Sequence, residues 1–122
     1  MQSLNDIDKD DPIATKKYAL EALRLADQHP QFKRSHSYVV ILDTISGILF
    51  HDEHKFNEAY TYSKEAVGII FKKHTDITNL TQSDKDFLST HIFTIEQLLR
   101  QPKDNFPYDL YDEFFRYVQL LP

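Results

Sequence analysis

The 122-residue sequence has no cysteine, no tryptophan and only two glycines. The lack of cysteine excludes a disulfide scaffold, a thiolate zinc site and a cysteine nucleophile. The scarcity of glycine leaves few tight turns, and points to long helices joined by polar loops. The longest apolar run, Tyr38 to Leu42, has five residues, far short of the roughly 20 needed to cross a bilayer. The opening residues are acidic and polar, unlike the charged-then-apolar start of a signal peptide. A cytoplasmic protein with no membrane partner is therefore expected. The net charge is −5, which argues against nucleic acid as a partner, because that binding rests on Lys and Arg against phosphate. What the chain does have is 41% hydrophobic residues and a length that suits one domain of about 100–150 residues. A chain of this size buries roughly two thirds of its unfolded surface and needs no metal or disulfide to fold.

The apolar spacing predicts an all-α fold of about five antiparallel helices, with residues 12–122 as one domain behind an acidic flexible tail, residues 1–11. Asp11 can cap the first helix, which opens at Pro12 and ends at Pro30. Its apolar face carries Tyr18, Ala19, Ala22, Leu23, Leu25 and Ala26. The second runs from about Ser35 to His51, and the third from near Lys55 to about His74. Thr81, with Asp84 three residues on, reads as a capping box for a fourth helix from Gln82 to about Arg100. A fifth opens at Pro107. Tyr38 to Leu42 also reads as a buried strand ending at Asp43, but the stripe continuing through Ile45, Ile48 and Leu49 favours helix.

The second and third helices form a patterned pair. Gly47 precedes Phe50 by three residues, and Ala59 and Ala66 lie seven apart. Small residues at these places would let two helices approach closely, with Gly47 at the closest point. This pattern resembles a tetratricopeptide repeat (TPR), over about residues 16–73. Ala19 and Ala26, also seven apart, echo the second helix of a preceding repeat, while Asp43, Ser46 and Ser63 depart from the family's larger residues. The resemblance implies TPR-like hairpin packing, with the last two helices capping the stack. It also implies a non-catalytic binding module whose second helix faces a groove for a peptide, helix or partner protein. Tyr38, Asp43, Ser46 and Phe50 are then the groove candidates.

The C-terminal segment supplies a second candidate surface. Phe106, Tyr108, Tyr111, Phe114, Phe115 and Tyr117 are too many for one helix to bury, and such aromatics anchor interfaces. Asp104, Asp109, Asp112 and Glu113 stand beside them, so a basic partner or a second copy of the chain fits there. A chaperone, antitoxin or immunity-type neutraliser would use such a surface to cover a basic site. Tyr108, Tyr111, Asp112 and Phe115 are the residues assigned to it.

Other chemistry is weakly marked. The sequence predicts no catalytic residues, no cofactor and no metal. His51-Asp52-Glu53-His54 has metal-ligand types, but the two histidines are three apart in a turn, with no third ligand. Arg24 and His29 are spaced similarly to the arginine–histidine motif of HEPN ribonucleases, small helical enzymes that act at a dimer cleft, and this is the enzymatic alternative. The pairs Lys33-Arg34 and Lys72-Lys73 read as charges placed at helix ends. His91, on an apolar helix face, reads as a partly buried core histidine.

Overall fold

A computed structural model describes residues 11–73, 80–101 and 108–121, with the Tyr108 side chain outside the description. The described residues form helices α1 (Pro12–Ala26), α2 (His36–His51), α3 (Phe56–Lys73), α4 (Gln82–Leu99) and α5 (Tyr108–Val118), with a short 3-10 helix, Pro30–Arg34, between α1 and α2. There is no strand among them, and Tyr38 to Leu42 lie inside α2. The fold is all-α, and none of the described helices is long and apolar enough to cross a membrane. The expected tail falls on residues outside the description, except Asp11.

The helix starts follow their capping residues. The Asp11 carboxylate accepts from the Ala14 amide at 3.1 Å, and the Ser35 hydroxyl from the Tyr38 amide at 3.2 Å. Thr81 and Asp84 complete a reciprocal capping box, each side chain accepting from the other's amide at 3.1 Å. The end of α1 differs from expectation. Its helix stops at Ala26, and the Gln28 and His29 amides turn back to the carbonyls three residues earlier. This tightened turn delivers the chain to Pro30, whose missing N–H suits the start of the 3-10 helix rather than the end of α1. At the α2–α3 turn, His54 adopts φ 54°, a left-handed geometry usually left to glycine or asparagine.

The core is built on α2, whose most extensive contact is with α3. Leu42, Ile45 and Leu49 of α2 are sealed against the small residues of its neighbours. Ala19, Ala26, Ala59 and Ala66 are all buried, so both seven-residue alanine pairs lie at packing contacts. Gly47 corrects the expectation of closest approach. A Cβ placed there would meet nothing within 4 Å. The close contact is made one residue earlier, where the Ser46 hydroxyl donates to the Ala59 carbonyl at 2.8 Å. A serine among alanines can approach this closely because its one polar atom finds a backbone acceptor.

Candidate functional site

Three of the four groove candidates on α2 are turned inward. Ser46 is 1% exposed and bonded to α3, so it offers nothing to a partner. Phe50 is buried, with ring contacts to Phe56 at 5.0 Å and Phe93 of α4 at 5.4 Å. Its size anchors the helix contact instead of lining a groove. Tyr38 is also buried, and its hydroxyl donates to Glu65 of α3 at 3.3 Å. Burial, together with the Glu65 charge, pushes that hydroxyl up to about 12.

Asp43 is different. It lies seven residues from both His36, whose ring is 6.0 Å from Phe87 of α4, and Phe50. Seven residues are nearly two helical turns, so Asp43 shares their α4-facing stripe. It is half-buried, and no hydrogen-bond donor or cation among the described residues reaches its carboxylate. Burial alone pushes its carboxyl up to about 6. Gly47, one turn further along, leaves open space beside the same stripe.

The α5 helix sorts its residues into two apolar arcs. Leu110 and Glu113 are buried, while Phe114 and Tyr117 are half-buried, with Tyr117 stacked on Phe71 at 5.7 Å. Tyr111, Phe115 and Val118 remain 51%, 65% and 43% exposed. Their spacing of four and three residues places them side by side along one flank. Asp109 and Asp112 are exposed on the same helix. Asp104 and Phe106 lie outside the described residues, as does the Tyr108 side chain.

Glu113 is not part of the exposed acidic surface, as its sequence neighbours suggested. It accepts from the Tyr60 hydroxyl at 2.5 Å and pairs with His91 Nε2 at 2.9 Å, with Lys64 at 3.8 Å. His91 is fully buried, and its Nδ1 meets the Ser63 hydroxyl at 2.6 Å. Tyr60 stacks on the His91 ring at 5.4 Å and Tyr117 meets its edge at 5.6 Å. The Glu113 carboxylate can only accept, so His91 donates to it from Nε2, and the Ser63 hydroxyl lies within reach of both Nδ1 and the Tyr60 carbonyl, the latter at 3.2 Å. Burial works to raise the Glu113 carboxyl, but the hydrogen bonds from His91 and Tyr60 outweigh it and hold it below its ordinary range. Burial and the hydrogen bond to Glu113 push the Tyr60 hydroxyl up. The signal was present in the pattern. His91 shares a face with Phe87, Ile95 and Leu98, and Glu113 lies between Leu110 and Tyr117.

A Ser–His–Glu chain has the order of an activated nucleophile. Here Ser63 is 1% exposed, so a substrate carbonyl has no approach to its oxygen. The chain instead ties α3, α4 and α5 together. Elsewhere, the Arg24 guanidinium forks onto Glu21 of its own helix at 3.1 and 2.5 Å. His29 lines a small hollow of about 250 Å³ with Ala22, Leu25, Ala26 and Phe32. That hollow is apolar and carries no charge for RNA phosphates. No three His, Asp or Glu side chains among the described residues converge to hold a metal ion. Comparison of the chain with protein-family models, curated proteins and solved structures gave no match.

Proposed function

We propose that the protein is a non-catalytic interaction module that binds an amphipathic segment of a partner protein along the exposed flank of α5. The observation that carries this reading is the strip of Tyr111, Phe115 and Val118, three large apolar side chains left in solvent at helical spacing. Aromatic side chains in such a strip supply contact area at low entropic cost and are favoured interface anchors. Asp109 and Asp112 stand on the adjoining surface of the helix and favour a partner with basic residues at its rim. Asp43 supports the same class of function, because a half-buried carboxylate with no cation beside it among the described residues is open to one brought by a partner.

The TPR-like reading of residues 16–73 belongs to this proposal. On that reading α5 is the outermost of the described helices, and its exposed flank is the place where a further helix adds. The neutraliser roles, a cytoplasmic setting and self-association all fall within the same proposal, with a second copy as one form of partner. The reading is non-catalytic because Ser63 and His91, at the nucleophile and base positions of the Ser63–His91–Glu113 chain, are buried away from any substrate.

Affinity capture from the source cells with Tyr111→Ser/Phe115→Ser as the comparison tests it. Both side chains are exposed, so the double variant should keep its helicity, with stability within about 1 kcal/mol of the wild type. Recovery of the partner should fall about tenfold or more, as expected on losing two interface anchors. Equal recovery by both proteins would contradict the proposal.

A further inference from the structure

The two basic pairs are distant in sequence and adjacent in the fold. Lys33 and Arg34 close the 3-10 helix, and Lys72 and Lys73 close α3. Both pairs line one cleft of about 620 Å³, with Tyr38, Glu65 and Gly68 also in its wall. We infer that this cleft binds a small ligand carrying a phosphate group.

Charge is the first argument. Lys33 is held by Asp27 at 2.5 Å. Among the described residues, no carboxylate lies within ion-pair distance of Arg34, Lys72 or Lys73. Glu65, the one acid among the described residues of the wall, accepts from the buried Tyr38 hydroxyl. Helix-end charges alone would account for each pair separately, since Lys72 and Lys73 complement the α3 C-terminus. Their convergence on one concavity needs a further reason. A phosphate dianion supplies one, with the Arg34 fork donating to two of its oxygens and the lysines acting as point charges.

Gly68 is the second argument, and it is independent of charge. It lies in the middle of α3, where glycine is unfavourable relative to alanine. No packing contact requires it, because a Cβ there would meet nothing within 4 Å. The space it leaves open is the cleft itself. A bare backbone at that place allows a ligand to approach the helix closely.

Size and the rest of the surface limit the ligand. The cleft falls within the range of about 300–1,000 Å³ usual for small-molecule sites. Of the 12 basic and 14 acidic side chains among the described residues, four and one line it, leaving 8 against 13 elsewhere. A long polyanion extending beyond the cleft would meet that negative excess.

The test is an amide NMR titration of the full chain with inorganic pyrophosphate at about 0.15 M NaCl, where exposed charges are screened over about 8 Å. Saturable shifts at the Arg34, Gly68 and Lys72 amides are expected. Arg34→Ala/Lys72→Ala should raise the Kd about tenfold or more. Gly68→Leu keeps every charge and improves helix propensity, and it should weaken binding to a similar extent by filling the cleft. Non-saturable shifts spread over all surface lysines would overturn the inference, as would Gly68→Leu binding as tightly as the wild type. Saturation by pyrophosphate but not by a phosphoserine peptide assigns a free small molecule. Saturation by the peptide alone would overturn the small-ligand assignment.

Discussion

Asp43 holds a carboxyl in the α4-facing stripe of α2 with no partner among the described residues. Burial raises its pKa from 3.8 to about 6. A carboxyl raised on folding contributes stability that is fully present below its unfolded pKa and lost as pH rises through the folded one. The loss is therefore spread between about pH 4 and pH 6, and above that range the ionised group opposes folding. Asp43→Asn removes the titration. Urea unfolding should find it close to the wild type at pH 4 and more stable at pH 8, by up to about 3 kcal/mol at 1.36 kcal/mol per pKa unit. A pH-independent difference would show that the carboxyl is paired or solvated. A residue kept at such a cost suits a function served by its charge.

At the scale of elements, α5 is held to the rest by a polar latch. Glu113 binds Tyr60 of α3 and His91 of α4 from its buried place on α5. Its carboxyl is held below the ordinary value near 4.5, so the latch contributes stability above that value, lost as pH falls through the lower folded pKa. Glu113→Ala leaves Tyr60 and His91 without their acceptor. It should cost about 3 kcal/mol at pH 7, with faster amide exchange in α5 than in α2. The difference from wild type should shrink as pH falls below the ordinary carboxylate range and through the lower folded pKa, where the wild-type carboxyl also protonates. A difference that stays constant through that range would remove Glu113 ionisation from the account.

The same elements show what was legible in the sequence. Helix starts at Asp11, Ser35 and Thr81 were readable because a cap is a local interaction between residues three apart. The alanine pairs were readable because a seven-residue period keeps them on one face. Gly47 was misread because a small residue marks either a close approach or an open space, and the difference lies in the neighbouring helices. Ser46, Phe50 and Tyr38 lie on the expected helix but are buried rather than groove-facing, a difference hidden in the sequence because α2 is mixed and has no clear polar face. The Glu113 latch and the basic cleft join residues between 22 and 53 apart in the chain, or on separate helices, and no local pattern reports such meetings.

At the scale of the whole molecule, the chain separates its surfaces. The apolar strip is on α5, the most C-terminal of the described helices. The basic cleft is formed by α3, the N-terminal part of α2 and the 3-10 helix before it. The central claim is that α5's free flank is the binding face. Site-specific photocrosslinking tests it most directly, with benzoylphenylalanine at position 115 and, as the control, at the exposed position 17 of α1. The account predicts a dominant adduct from position 115, whether to another protein or to a second copy, with none above background from position 17. Equal yields from the two positions would contradict it.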